Sequence, residues 1–307
     1  MKLVTFEDSG GSAKPGVLVD GDTRIQPLAE FASLQDLIEG GQAALQSVQV
    51  AITRADPAAS VSRDSTRLFA PLPRPVQIRD VLCFLEHMVN AGRLAAELGG
   101  GDPSAYSLPQ VFRDAPRYYK ANRMGVVGDG ADVVRPEGCG FLDYELELGI
   151  VVGKQGKDIA VDKAMQHVFG YTIFNDVSAR DLQIQEMVSG LGPAKGKDFD
   201  TGNVFGPCIS TADSVDVSDM AMIARVNGEE ISRGSTSQMD HTVADAVSYI
   251  SQGETIYPGE IIGSGTVPLG CLMEHKRSLS DGDAIELEIE GIGVLHNRIV
   301  GPAHPEK

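Results

Sequence analysis

Positive charge is scarce in this chain: 26 Lys and Arg stand against 43 Asp and Glu, a formal net charge of −17 over 307 residues. A nucleic-acid or anionic-membrane surface needs a basic patch, so neither is an expected partner. Paired cysteines are missing too. Cys83, Cys139, Cys208 and Cys271 lie far apart with no C-x-x-C, a spacing that fits buried thiols in a reducing compartment better than a disulfide framework or a zinc site. No apolar run approaches a membrane span, and Met1-Lys2-Leu3-Val4-Thr5-Phe6-Glu7 has no apolar signal core. Cytoplasmic is therefore the expected location. Internal repeats and low-complexity segments are absent as well.

What remains is an ordinary globular composition, 42% apolar and 22% charged, with 35 glycines that imply many turns. The length supports a large core in one or two domains. Residues 2–6 and 16–19 read as a hairpin pair, followed by the turn Asp20-Gly21-Asp22 and a short strand over 24–28. Leu34, Leu37, Ile38, Ala44 and Leu45 mark an amphipathic helical region closed by Asp56-Pro57. Pro71-Leu72-Pro73-Arg74-Pro75 is a stiff connector, since each proline pushes its predecessor out of the helical region. It divides a small α+β unit, 1–70, from a main domain, 71–307.

In the main domain a strand is expected over 76–81, a helix from 84 to about 98, and a long loop with short elements over 99–118, a class of segment that is often functional. A short helix over 162–168 follows, then a strand over 171–175 and a helix over 178–188. The last hundred residues read as mostly β. Asn227-Gly228 is a strong two-residue hairpin signal between 221–226 and 229–232. Thr242 with Asp245 resembles a capping box opening a helix, and 284–290 with 293–300 form a last hairpin.

The stretch that organises the chain is Asp143-Tyr144-Glu145-Leu146-Glu147-Leu148-Gly149-Ile150-Val151-Val152, read as one strand. Side chains alternate faces along a strand, so Glu145 and Glu147 point the same way. Two buried carboxylates side by side repel, at a cost of several kcal/mol unless compensated. Either they face water on an edge, or something positive sits between them. Asp176 ends the next strand, and Asp176, Arg180 and Gln183 fall at i, i+4 and i+7 along one stripe. A polar stripe there fits a solvated helix face; a strand-exit carboxylate beside two glutamates also fits the hard-oxygen set that Mg²⁺ or Ca²⁺ prefers.

Taken in order, several motifs together resemble the fumarylacetoacetate hydrolase family. They are Asp143-Tyr144-Glu145-x-Glu147, Gly170-Tyr171-Thr172, Asn175-Asp176-Val177-Ser178-Ala179-Arg180-Asp181-Leu182-Gln183 and Gly196-Lys197-Asp198-Phe199-Asp200. Val226-Asn227-Gly228-Glu229, Tyr257-Pro258-Gly259-Glu260, Gly263-Ser264-Gly265-Thr266 and Glu290-Gly291-Ile292-Gly293 continue the series. The resemblance runs from about residue 76 to 300. It implies an α+β, predominantly β fold, a mixed β-sheet roll with a small N-terminal α+β domain, and a homodimer. It also implies one divalent cation per chain, Mg²⁺ or Ca²⁺ with Mn²⁺ as a further choice, held by Asp80, Glu145, Glu147 and Asp176, with Lys197 and Arg180 offsetting the charge. His87 would be the general base, oriented by Glu274 in Gly270-Cys271-Leu272-Met273-Glu274; Glu86 is a rival in sequence, but successive helical residues point about 100° apart. Lys197 and Gln183 would donate to a developing oxyanion.

Tyr119 matches a pocket tyrosine, and Leu82 stands where fumarylacetoacetase itself has a tyrosine. The loop between Thr266 and Glu274 looks shorter than in that enzyme, so substrate choice is placed with 99–124, Tyr119, Leu82 and Thr266. The expected activity is hydrolysis of a carbon–carbon bond in a β-diketone acid: an acylpyruvate, a fumarylacetoacetate-like acid or a 2,4-diketo sugar acid. The alternatives are an isomerase, decarboxylase or dehydratase of a 2-keto acid on the same metal site, or a non-catalytic small-molecule binder.

Overall fold

The computed structural model describes residues 1–53 and 59–302; the helix stop expected at Asp56-Pro57 lies outside the described residues. Two sheets organise them. The larger has eleven strands, with Val168–Asp176 and Leu146–Val152 near its middle and Ile261–Gly263, Ile78–Val81 and Tyr118–Ala121 following in space to one edge. Pairing is mostly antiparallel, but Ile261–Gly263 runs parallel to Ile78–Val81, with Gly263 opposite Asp80. On the other side Lys2–Glu7 pairs with Asn203–Thr211, Leu3 opposite Ile209. The N-terminal strands therefore continue the same sheet. The smaller sheet has five strands, including Ala221–Val226, Glu229–Ser235, Ala284–Ile289 and Gly293–Val300. The motifs point to an α+β, predominantly β architecture, and this is it.

The middle of the large sheet is covered on both faces, and every residue of Leu146–Val152 is buried. Leu146, Leu148 and Ile150 pack toward Ala224, Leu287 and Leu295 of the small sheet. Val151, Phe174 and Phe205 face Leu34, Leu37 and Val48 of the N-terminal helices. Each such aliphatic side chain contributes about 1.5–3 kcal/mol when fully buried.

Local signals hold where they are strongest. Asn227 and Gly228 adopt φ of 53° and 79°, as a tight two-residue hairpin needs. Thr242 and Asp245 cap Val243–Ser251 reciprocally. The 34–45 region splits into Leu34–Glu39 and Gly41–Thr53, because Gly41 takes φ +56°. All four cysteines are buried free thiols. Among the described residues no helix is long and apolar enough to cross a membrane.

One expectation is corrected. Residues 143–152 are not a single strand: Leu142–Asp143 pairs with Ser178–Ala179, while Leu146–Val152 pairs with Val168–Asp176. Tyr144 and Glu145 lie between the two ladders, both buried. The break has a polar cause. The Asp143 carboxylate accepts from Arg180 Nε (2.9 Å) and Nη2 (2.7 Å) and from the N–H groups of Leu272 (2.7 Å) and Met273 (3.1 Å). The same pairing delays the following helix to Arg180–Met187.

Candidate active site

Ile78–Val81 carries Asp80, flanked in register by Gly263 on one neighbour and Tyr119 on the other. Glu147 comes from Leu146–Val152, and Asp176 closes Val168–Asp176. Asp80, Glu147 and Asp176 each bring a carboxylate oxygen within 4.8 Å of the others, and all three are buried. Gly263 makes the convergence sterically possible. A methyl there would stand 2.6 Å from Glu147 Oε2 and 2.7 Å from Asp80 Oδ1.

The three acids are strained electrostatically. Burial first, then the Asp176 charge, pushes Asp80 up to about 7. Burial and the neighbouring Asp80 and Asp176 hold Glu147 well above the usual carboxylate range. Asp176 is raised by burial despite Lys197. Asp80 Oδ1 and Asp176 Oδ1 are buried with no hydrogen-bond partner among the described residues. Unpaired buried carboxylate oxygens converging at this spacing are the donor set a hard divalent cation takes.

Glu145 sits differently from the expected ligand quartet. Its Oε1 accepts from Arg180 Nη2 (2.8 Å) and its Oε2 from Lys197 Nζ. Burial alone would raise it, yet Arg180 and Lys197 hold it well below the ordinary range. Lys197 also donates to Asp176 Oδ2 (2.6 Å), so it ties Glu145 to the trio. Arg180 and Lys197 thus offset charge as the motif implies, and neither is free. Tyr119 Oη donates to Asp176 Oδ2 (2.6 Å), and the Gly265 N–H (3.1 Å) and Thr266 Oγ1 (3.5 Å) donate to Glu147.

His87 stands on the first turn of Leu85–Leu98. Its Nδ1 lies 2.9 Å from Glu274 Oε2 and its Nε2 3.6 Å from Glu145 Oε1. Burial would raise Glu274, but the bond to His87 keeps it low. With Glu274 ionised, Nδ1 carries the proton and Nε2 is left as the acceptor. Glu274, and not Glu86, is the partner. Arg180 Nη1 donates to Gln183 Oε1 (3.1 Å), which occupies the amide oxygen and leaves the N–H groups as what Gln183 can offer a ligand. A cavity of about 460 Å³ opens over the site, lined among others by Leu82, His87, Tyr119, Gln183, Lys197 and Thr266. All twelve expected site residues gather here.

Sequence reasoning assigned no role to two contributors. Asp143 clamps Arg180 to the Glu274 segment, and it lies two residues before Glu145 within the same motif. Asn90 donates to Glu274 Oε1 (2.8 Å); its position one helical turn from His87 was the available signal.

With this geometry in place, residues 78–300 match the family described as fumarylacetoacetate (FAA) hydrolase, C-terminal. The chain belongs to this family. A Xenopus laevis relative named oxaloacetate tautomerase fahd2, mitochondrial, is 30% identical over 309 residues, covering 98% of this chain and 90% of that protein. The human oxaloacetate tautomerase FAHD2A, mitochondrial, is 41% identical over 177 residues. In that match the chain spans 56% of the relative's length. A solved fumarylacetoacetate hydrolase from Exiguobacterium antarcticum shares the fold with a TM-score of 0.78 and 31% identity, over 98% of this chain and 100% of that one. Fumarylacetoacetate hydrolase family proteins are enzymes, and their names span hydrolase and tautomerase chemistry.

Proposed function

We propose that this protein is a divalent-metal-dependent hydrolase of 2,4-diketo acids, cleaving the bond between the two carbonyl carbons' shared methylene and the distal carbonyl. The observation that carries the reading is the His87–Glu274 pair, with Nε2 aimed at the carboxylate site. Asp80, Glu145, Glu147 and Asp176 would hold the cation. Three of them already converge, and Glu145 is joined to them through Lys197. What a bound Mg²⁺, Mn²⁺ or Ca²⁺ would supply is Lewis acidity toward the keto acid's oxygens.

The chain's own groups do the rest. His87 Nε2 takes a proton from water, whose oxygen adds to the distal carbonyl carbon. Glu274 fixes the ring's tautomer and stabilises the imidazolium, while Asn90 holds Glu274 in place. The Gln183 amide donates to the oxygen on which negative charge develops, and Lys197, held by Glu145 and Asp176, supplies positive charge beside it. As that oxygen reforms the carbonyl, the C–C bond breaks toward the keto acid, whose carbanion takes up a proton. The products are a carboxylic acid and pyruvate or a related 2-keto acid. We also carry a homodimer as a proposal, checked by sedimentation.

The second reading is tautomerisation of a 2-keto acid on the same site, favoured by the Xenopus relative's name. It needs proton transfer between carbon and oxygen and no attacking water. The test is a panel of acylpyruvates and 2,4-diketo sugar acids with each metal, following diketone absorbance and pyruvate together. Stoichiometric pyruvate supports hydrolysis. Interconversion of enol and keto forms without pyruvate supports the tautomerase and removes the hydrolase reading.

A further inference from the structure

The cavity changes character from floor to mouth. Leu85–Leu98, the helix that carries His87, turns Met88, Ala91, Gly92 and Ala95 to the cavity, the i, i+3, i+4, i+7 spacing of one helical face. Gly92 has a specific role on that face. A methyl there would stand 2.0 Å from Tyr106 Cζ, so the missing side chain lets the Tyr106 ring lie directly on the helix and wall the cavity. Across the opening, Ile184 and Met187 project from Arg180–Met187, the helix whose first turns supply Arg180 and Gln183 to the floor. They are 60% and 54% exposed. Large aliphatic side chains are thus left in water on the rim of a site whose floor is charged.

Two of the cations lining the cavity are paired with carboxylates, and a third bonds only neutral groups. Arg180 is held by Asp143 and Glu145, and Lys197 by Glu145 and Asp176. Arg117 donates to Tyr249 Oη (2.6 Å) and to the Val111 carbonyl (3.0 Å), with its guanidinium 5.6 Å over the Tyr249 ring. A second carboxylate at the distal end of a substrate would lose water among Met88, Ile184 and Met187, which is costly unless it draws Arg117 away from its neutral partners.

We propose that the site takes 2,4-diketo acids whose acyl tail is apolar, an alkyl or aryl chain, and that Met88, Tyr106, Ile184 and Met187 read that tail. This deepens the diketo-acid reading above and rests on it. Oxaloacetate and fumarylacetoacetate, for which relatives are named, both end in a second carboxylate. The mouth of this chain is built for the other class. The tail would lie between two apolar walls, so each added methylene leaves water on both sides.

The experiment is a matched series of 2,4-diketo acids with methyl, propyl, pentyl and phenyl tails, plus an ω-carboxylate isostere of the pentyl compound. Cleavage is read as kcat/KM on the Mg²⁺-loaded enzyme, and binding by calorimetry on the metal-loaded His87→Ala protein. Both should improve about fourfold per added methylene, the equivalent of about 0.8 kcal/mol. The ω-carboxylate should bind at least about tenfold more weakly than the pentyl compound. Met187→Lys, at an exposed position that folding tolerates, should flatten the chain-length dependence and shift preference toward the ω-carboxylate. Binding independent of tail length overturns the inference, as does tight ω-carboxylate binding that Arg117→Gln abolishes. The two readings fail separately. Tail-dependent binding without cleavage keeps the apolar-tail inference and removes the hydrolase, and cleavage without tail dependence does the reverse.

Discussion

Arg79 and Asp80 are neighbours on one strand and carry charge into opposite faces of the same sheet. Behind the sheet, Arg79 pairs with Glu260 and Glu254 at 2.9 Å each, and Lys120 meets Glu254 at 2.8 Å. Tyr118 completes that cluster, donating to Glu254 and lying under the Arg79 guanidinium. Two cations face two carboxylates. In front, Asp80, Glu147 and Asp176 converge, and Lys197, the cation that reaches them, is shared with Glu145. A charge cluster that neutralises itself needs no further ion and can serve the fold, even with Arg79 Nη1 buried without a hydrogen-bond partner among the described residues. One that leaves carboxylates in excess is unfavourable until a further cation arrives, which makes it the place to look for chemistry.

The widest gap between the clusters should appear on removing divalent metal. Exhaustive chelation, or Asp176→Ala in the presence of metal, should abolish diketo-acid turnover. The fold should survive both, because neither touches the rear cluster. Turnover that persists after chelation, with metal analysis confirming a stripped protein, would remove the metal role.

His87 and Glu274 come next. His87→Ala should lower kcat by about 10²–10⁴-fold, the usual contribution of general-base catalysis, with metal affinity nearly unchanged. Glu274→Gln should be milder, since an amide can hold the ring without stabilising the imidazolium. The double variant should be little worse than His87→Ala, because the pair acts as one unit. Additive losses in the cycle would mean that His87 only packs.

These residues also mark how far the sequence could be read. Asn227-Gly228 and Thr242 with Asp245 were legible because a tight turn and a helix cap are set by residues within a few positions of one another. Helix geometry disfavoured Glu86, but 187 positions separate His87 from Glu274, and only the family resemblance bridged them. The break at Tyr144 was hidden. Alternation along 143–152 suggests one continuous strand, and the chain leaves it because Asp143 answers Arg180, Leu272 and Met273, all distant in sequence. Arg79 was opaque for the same reason: periodicity places it opposite Asp80 but does not say that Glu254 and Glu260 await it. The apolar mouth was half visible, since Met88, Ala91 and Ala95 share a helix face whether that face meets a core or a cavity.

Behind the sheet the expected effect is on stability. Arg79 and Glu260 side chains are each 3% exposed, so Arg79→Ala strands a buried carboxylate and should cost about 3–5 kcal/mol in urea unfolding. Arg79→Met with Glu260→Gln should recover much of that, because removing both charges removes the uncompensated one. A single variant as stable as the parent would show that the rear cluster is wet and weak.

The subtlest contrast is in the sign of the pH dependence. In chelator, Asp80 holds its proton up to about 7 in the folded chain, from burial and the Asp176 charge, against about 3.9 when unfolded. The folded chain therefore binds more protons between those values, and stability should fall as pH rises through that window. Glu254 runs the other way. Its bond to Arg79, ahead of the other contacts, takes it down to about 2, against about 4.3 when unfolded. Its contribution is present above that value and lost only as pH falls toward 2. His296, raised by its bond to Asp129, adds a falling slope of its own near neutrality. The informative quantity is therefore the difference between the parent and Asp80→Asn, in which His296 cancels. Urea midpoints measured in chelator from about pH 4.5 to 8 should show that difference declining with pH. Saturating Mg²⁺ should flatten or reverse the parent's slope, since cation binding favours the deprotonated carboxylates and grows stronger as they ionise. A difference that stays level with pH would mean that Asp80 ionises freely in the folded chain, and the front cluster would then be no more frustrated than the rear.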